Sequence, residues 1–485
     1  MKLGVPITVS NLVAWTNAKS VTTGYQKSSG AYIKTISTDS RTIQKDDFFI
    51  PVTGEIYDGH DFIVESVMKG ASGFAVQENH SEKIIQLQKS VSPEVWKRLI
   101  ILVSKNNIDF IIKLSAGYIR KFNPIVIGIT GSVGKTTTKD FIVGILAGLF
   151  NIKYTPKNYN TEIGIAKSIL EIDSSTQFFI SELGMRAKGQ LGVLAEAVNL
   201  DIGAITAVGP AHLKYFESVE EIAISKAEIA DFLEEKSGVL FLNNDDEWTD
   251  FITGRVGCRI KKFGRNNNIE FNFIEKKVDR LGRYSFSFFT GEKKVTEVTL
   301  PVCGYHNIYN ACCAAAICTY LGVLPESLKN GLENAVIESN RMDVFERDGK
   351  IIISDCYNAS PLSMKRALDT LKQISKKNKT RSIAVLADML ELGRQSDRLH
   401  YELGKYVDDS GIDVLIAFGN MSQNICDGFS CRKDKDRSKS VKKEIYYFKN
   451  KKELEKKLKS IIKKGDTILI KGSRANKLES LVECI

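Results

Sequence analysis

The 485-residue chain has no charge excess large enough to dictate a polyanionic partner: 68 Lys and Arg stand against 58 Asp and Glu, a balance of +10. So mild a surplus suits anionic small molecules as well as nucleic acid, and forces neither. The nine cysteines include no CxxC pair, and an odd total leaves one unmatched in any disulfide framework. Cys312 and Cys313 are adjacent, and Cys318 follows in the same alanine-rich stretch, 311–320. That stretch reads as helical, and neighbours on a helix cannot readily bridge. No uninterrupted apolar run reaches about 18 residues, which excludes an ordinary membrane-spanning helix. The opening MKLGVPITVSNLVAW lacks a charged segment ahead of a long apolar one, so no secretory leader is expected. Fixed-period repeats and low-complexity tracts are absent. So is a Ser/His/Asp set for nucleophilic catalysis. These absences point to a soluble protein of a reducing, cytoplasmic compartment, with no membrane insertion expected and nothing that calls for a nucleic-acid partner.

What remains is a chain with cores to build. Hydrophobic residues make up 43% and charged residues 26%, which excludes disorder and collagen. At roughly 150 residues per domain the length suggests about three domains. Residues 1–121 mix short strands (ISTDSR, DFFIPVTG, GFAVQ, LIILVSK) with helices, and turns fall at Thr53-Gly54 and Asp58-Gly59. Residues 122–337 begin with PIVIGIT and continue through FFISELG, IGAITAVG and GVLFLNND, apolar runs separated by helical segments. That alternation predicts a mostly parallel, helix-covered sheet. Residues 338–485 repeat the rhythm with KIIISD, SIAVLAD, DVLIAFG, EIYYF and DTILIKG, which predicts a second doubly wound sheet. Two lysine-rich stretches, 432–443 and 449–464, read as solvated surface. In the second, Leu454, Leu458 and Ile461 recur at helical spacing, so an amphipathic helix is expected.

The sharpest local signal is GITGSVGKT, 128–136, set between a strand and the helical TTTKDFIVGILAGL. Glycines there let the backbone turn its N–H groups toward phosphates. Lys135 supplies a point charge to the β- and γ-phosphates, and the Thr136 hydroxyl can ligate Mg²⁺. The usual spacing places a glycine at 129, where this chain has Ile129, so the loop is a variant with Gly128 and Gly131 on either side. The plain alternative is a glycine-rich strand-to-helix turn.

Three further residues are chemically suggestive. Glu182 closes the run QFFISE, a position suited to a magnesium ligand, although many strands end in an acid. His212 follows the next strand and stands out among only five histidines; the alternative is a turn or capping role. Ser218-Val-Glu-Glu221 is a capping box, so a helix begins there. On that helix Lys226 has Ile222, Ala223, Ile229 and Ala230 at i−4, i−3, i+3 and i+4, which puts it on the inward stripe. Burial disfavours the ammonium, and a neutral amine can take up CO₂ to become an anionic carbamate ligand. The alternative is a lysine snorkelling along the stripe to water.

TGSVGKTTTK, NYNTEIG, ELGMRAKGQ, AHLKYFESVEEIAISKAEI, GYHNIYNACCAAA, DCYNASPLSMKRAL, LADMLELG and KGSR, in this order, together resemble the Mur ligase family, and the resemblance runs from about 39 to 474. These are ATP-dependent amide-forming enzymes of peptidoglycan precursor synthesis. The resemblance is strongest to the branch that joins D-alanyl-D-alanine to UDP-N-acetylmuramoyl-tripeptide. It implies an α/β protein of three domains: a small N-terminal UDP-sugar-binding domain, a central P-loop-type ATPase domain and a C-terminal Rossmann-like domain. It also implies ATP and Mg²⁺ as cofactors, and a monomer. Gly131, Ser132, Val133, Gly134, Lys135, Thr136 and Thr137 would hold ATP. Asn307 and Asn310 of the HNxxN motif would face adenine, with Arg341 and Asp355 closing from the C-terminal domain. Thr136 and Glu182 would ligate one magnesium; His212 and carbamylated Lys226 would hold a second. Asp39, Ser40, Arg41, Asp58 and His60 would contact the UDP-sugar. Asn158, Asn160, Glu162, Tyr357 and Asn358 would lie against the other substrate groups. Two positions depart from the family pattern, Asn340 and Ala387, where glycine is usual. The rival readings are another amide ligase of the superfamily, such as a folylpolyglutamate type, and a P-loop regulatory NTPase. The second explains the loop but not His212, Lys226 and HNxxN together.

Overall fold

The computed structural model describes residues 1–21, 32–54, 56–157, 159–430 and 443–485. Three sheets carry the fold. The first has six strands in the order Lys2–Thr8, Tyr32–Ser37, Phe48–Phe49, Gly73–Gln77, Ile100–Ser104, Lys19–Ser20. Its interior strands pair in parallel and its two edge strands antiparallel. The apolar runs GFAVQ and LIILVSK are its central strands, as their composition predicts. ISTDSR is only half strand. The strand stops at Ser37 because the Asp39 side chain accepts the Arg41 N–H and opens a short 3₁₀ turn.

The second sheet has nine strands, ordered Lys293–Cys303, Arg283–Thr290, Phe271–Val278, Arg259–Gly264, Val239–Asn243, Ile202–Ile205, Ile125–Thr130, Phe178–Glu182, Ile152–Tyr154. PIVIGIT, FFISELG, IGAITAVG and GVLFLNND all supply strands of it. The antiparallel meander over 271–303 was not predicted from the sequence. Phe271, Phe273, Phe286 and Phe288 are buried in it, and so are the intervening Asn272, Ser285 and Ser287, so both faces are covered there. The third sheet has six strands: Asp343–Arg347, Lys350–Asp355, Asp466–Lys471, Arg381–Ala387, Val414–Phe418, Glu444–Phe448. It is parallel except for the first pair, a hairpin turned at Asp348-Gly349, both with positive φ. The helix Lys451–Ile461 buries Leu454, Leu458 and Ile461 against this sheet and leaves its lysines outward. Of the other lysine-rich stretch, all but Lys443 lies outside the described residues.

Packing divides the chain into two compact units. One comprises Met1–Gly128, Phe150–Gly184 and Leu191–Ile202; the other comprises Ile129–Leu149, Met185–Gln190 and Gly203–Ile485. All eight described cysteines are free thiols. Cys312, Cys313 and Cys318 lie buried in the helix His306–Tyr320, where desolvation pushes their thiols well up and keeps them inert. Among the described residues no helix is long and apolar enough to cross a membrane.

Candidate active site

The phosphate loop belongs to the larger unit and leads into the helix Lys135–Leu146. Two of its glycines are required by geometry. Gly131 has φ +149 and Gly134 φ +91. A Cβ at 131 would stand 2.0 Å from Thr206 Oγ1, and one at 134 would stand 2.4 Å from Asn310 Oδ1. The loop is braced from the next strand's end. Thr206 Oγ1 donates to Val133 O (2.6 Å), Ser132 N–H donates to Ala207 O (2.8 Å), and Ser132 Oγ donates to Gly209 O (2.9 Å). Ile129, the departure from the usual spacing, is fully buried, so its side chain serves the core and leaves the turn itself to Gly131 and Gly134. Lys135 Nζ donates to Gly131 O at 2.8 Å, and Thr136 and Thr137 are buried at the first helical turn.

Lys226 lies where the spacing puts it. It is 2% exposed, and Ile222, Ala223, Ile229 and Ala230 around it are all buried. Desolvation lowers its pKa far below the ordinary lysine value, the Lys135 ammonium lowers it further, and only Asp246 opposes. The snorkelling alternative does not hold. Ser218 caps this helix by accepting the Glu221 N–H at 3.2 Å. The Glu221 carboxylate accepts the N–H of Glu217, one residue upstream of the cap position that a capping box would use.

His212 sits in the left-handed region, φ +56, and its Nδ1 is 2.6 Å from Glu391 Oε2. That hydrogen bond is the main reason the Glu391 carboxyl is held below its usual range. Asn307 and Asn310 are both buried. Asn310 Nδ2 donates to Asn307 Oδ1 (2.8 Å), and Asn307 Nδ2 donates to Cys303 O (2.7 Å). Asn310 thus abuts the phosphate loop, braced by Asn307. In the third sheet Lys471 Nζ pairs with Asp355 at 2.6 Å, and the Arg341 guanidinium lies 3.7 Å over the Tyr357 ring. Arg341 Nε also donates to Glu338 (3.3 Å), whose N–H donates to Asp140 on the loop helix (3.0 Å).

In the smaller unit Glu182 is buried at the end of its strand. Its N–H donates to Thr155 Oγ1 (2.9 Å), and Asn160 Nδ2 donates to its carboxylate (3.3 Å). Glu162 starts the helix Glu162–Ile169. Asn158 lies outside the described residues.

Two family models match the chain: Mur ligase middle domain over residues 129–318, and Mur ligase, glutamate ligase domain over 340–474. The UDP-N-acetylmuramoyl-tripeptide–D-alanyl-D-alanine ligase of Bacillus subtilis is 31% identical over 449 residues, covering 92% of each chain. The chain belongs to the Mur ligase family. Solved structures agree with this Mur ligase at the level of fold and sequence. MurF from Acinetobacter baumannii superposes with a TM-score of 0.85 and 26% identity, over 100% of this chain and 99% of that one. MurF ligase from Thermotoga maritima, solved in complex with ADP, gives 0.78 and 25%, over 93% and 97%.

The remaining expected contact residues of this Mur ligase fall in the first sheet's loops. Arg41, with its side chain 86% exposed, closes a bidentate pair on Asp39 (2.9 and 2.7 Å), and this holds the Asp39 carboxyl at about 2. Ser40 sits in the same turn. Asp58 caps the next turn by accepting the His60 N–H (2.9 Å). His60 is 1% exposed, so the structure places it beneath the surface. Asp58, His60 and His80 have ligand atoms close enough to hold a metal ion. The hydrogen bonds argue otherwise. His60 Nε2 accepts from Gln77 N–H and faces the Asn107 amide nitrogen, both at 3.3 Å, so Nδ1 must carry the hydrogen that it gives to Asp58 at 2.6 Å. Both ring nitrogens of His60 are thus committed to protein partners.

The two departures are also explained by the backbone. Asn340 has φ +62, a conformation glycine takes freely and asparagine tolerates better than most residues. Its N–H donates to Asp343 (2.5 Å), and its side chain accepts from Ser354 Oγ (3.0 Å). The Ala387 methyl has room because Gly472 opposes it; a Cβ at 472 would stand 2.7 Å away. Glu391, Lys471 and Glu338 were not singled out from the sequence. Glu391 falls inside the quoted LADMLELG and Lys471 inside KGSR, so the motifs carried the signal. The pairings that give these residues roles are long-range.

Proposed function

We propose that this Mur ligase joins D-alanyl-D-alanine to UDP-N-acetylmuramoyl-tripeptide at the expense of ATP, in cytoplasmic synthesis of the peptidoglycan precursor. The observation that supports this reading best is the match to the Bacillus subtilis ligase over 92% of both chains, reinforced by a buried, desolvated Lys226. Domain boundaries at 121/122 and 337/338, and a monomeric state, belong to the same proposal.

A carboxylate does not condense with an amine unaided, because its leaving group would be oxide. Attack of the tripeptide carboxylate on the γ-phosphate gives an acyl phosphate and ADP. The dipeptide amine then displaces phosphate through a tetrahedral intermediate. Carboxylate and triphosphate repel one another, so the site must supply positive charge. Gly131–Thr137 backbone N–H groups cradle the phosphates, and Lys135 places its ammonium against the β/γ pair. Asn310 holds the loop's shape while Asn307 holds Asn310. Arg341 and Asp355, the latter positioned by Lys471, contact the nucleotide, and Tyr357 and Asn358 line the neighbouring loop. Asp39, Ser40, Arg41 and Asp58 take the UDP-sugar, with His60 supporting Asp58 from beneath; Asn158, Asn160 and Glu162 complete the substrate loop.

The side chains proposed to hold magnesium have suitable chemistry: a hydroxyl at Thr136, a carboxylate at Glu182, a ring nitrogen at His212 and, at Lys226, an amine whose pKa burial lowers. When bound, Mg²⁺ would neutralise the approach of the carboxylate to the triphosphate. Lys226 fits only as a carbamate, since an ammonium would repel the ion. Purified protein given ATP, UDP-N-acetylmuramoyl-tripeptide and D-alanyl-D-alanine should release ADP and a product heavier by the dipeptide less water. Nucleotide turnover with glutamate-extended folate, or ATP hydrolysis without any condensation, would replace this reading by one of its rivals.

A further inference from the structure

We propose that Glu391 is a positioning residue for His212, and that it makes the ligand role of His212 conditional on docking of the loop that follows the strand Arg381–Ala387. The proposal rests on the reading above that His212 holds a divalent cation.

A carboxylate can only accept, so the 2.6 Å contact requires the hydrogen on His212 Nδ1. In the neutral ring this leaves the lone pair on Nε2, the atom free to face a cation. Which nitrogen coordinates is generally decided by the partner of the other, and such partners also fix the ring plane. The partner here is 179 residues away in sequence, in the loop that follows a strand of a separate sheet.

The docking is more than one bond. Lys214 N–H donates to Glu391 O (2.9 Å), and Gln395 Nε2 donates to Glu217 O (3.4 Å). Gly393 packs so closely that a Cβ there would stand 2.9 Å from Leu213 O. Arg186 approaches the other Glu391 oxygen at 3.8 Å, which keeps the carboxylate anchored from a second side. Both bonded residues hold unusual backbone, φ +56 at His212 and φ +62 at Glu391, although neither is glycine. Such conformations persist only where the surroundings over-determine them. Removing the loop would therefore release the ring from its tautomer and its plane together.

The test uses the full chain with ¹⁵N-labelled histidine, whose five residues can be assigned by substitution. Spectra are recorded at pH 8, then with Mn²⁺ and a non-hydrolysable ATP analogue. The wild type should show His212 with hydrogen on Nδ1, and Mn²⁺ should broaden Nε2. Glu391→Ala should move hydrogen onto Nε2 and raise the Mn²⁺ midpoint about 10-fold or more, a typical effect of losing such a partner. Glu391→Gln keeps an accepting oxygen, so it should retain the wild-type tautomer with a midpoint within about 3-fold of wild type. A shared thermal midpoint among the three proteins would exclude unfolding as the cause. An unchanged His212 tautomer in Glu391→Ala, or an unchanged Mn²⁺ midpoint, overturns the proposal. Product formation by the wild type is followed alongside, so that failure of positioning with ligation intact is distinct from failure of the ligase reading.

Discussion

Two lysine-bearing helices show how one residue type takes opposite chemistries. In Val219–Ala227, Lys226 occupies the apolar stripe itself and is 2% exposed, and desolvation lowers its pKa far below the ordinary lysine value. In Lys451–Ile461 the stripe is filled by Leu454, Leu458 and Ile461, so the lysines fall on the other faces and keep their hydration. Lysine content does not separate the two. Position relative to the stripe does, because burial disfavours the charged form of an amine while hydration preserves it. Five substitutions test this contrast.

Lys226→Ala should have the largest effect, leaving the ligase nearly inactive, with partial recovery on adding a short carboxylate that fills the carbamate's place. Lys226→Arg should not recover, since guanidinium keeps its charge and cannot carry CO₂. Steady-state rates with and without formate decide this, and an active arginine variant would end the carbamate reading. Next comes Lys135→Ala, which should fold normally and lose ligation by about 10² or more, the scale of a lost transition-state contact. Wild-type turnover in that folded variant would contradict the loop's role.

A smaller effect concerns stability. Below pH 10.5 the unfolded chain binds a proton at residue 226 that the folded chain binds weakly, so wild-type stability rises with pH across the window beneath that value. In CO₂-free buffer, Lys226→Met should therefore be the more stable protein near neutrality. Its advantage should shrink by at most about 1.4 kcal/mol per pH unit as pH climbs towards 10.5. Denaturant melts at pH 7, 8 and 9 would show it, and a constant difference would mean that Lys226 stays charged when folded. The smallest effect belongs to the exposed Lys456, where alanine should change stability by no more than about 0.5 kcal/mol. A larger loss would mean the surface helix hides a contact.

Local physics was legible in the sequence. Lys226 could be placed inward from four neighbours, and the phosphate loop from its strand, glycines and helix. The parallel strands could be read because fully buried strands are continuous apolar runs. The meander over 271–303 was missed although YSFSF alternates aromatic and polar residues, because no short turn motif was weighed there. The Glu391–His212 bond was hidden for another reason. Nothing near either residue specifies a partner 179 positions away, and only the arrangement of sheets brings them together. Asn307 and Asn310 were legible as a pair, but not as braces for Gly134, because a close approach to a glycine leaves no trace at the approaching residue.

The central claim is that burial turns Lys226 into a neutral amine able to carry CO₂. ¹³C spectra of the full chain equilibrated with ¹³C-bicarbonate test it most directly. A protein-bound carbamate carbon in the wild type, absent from Lys226→Met, is the predicted result. A wild type with no such carbon, or a signal that survives in Lys226→Met, would contradict it.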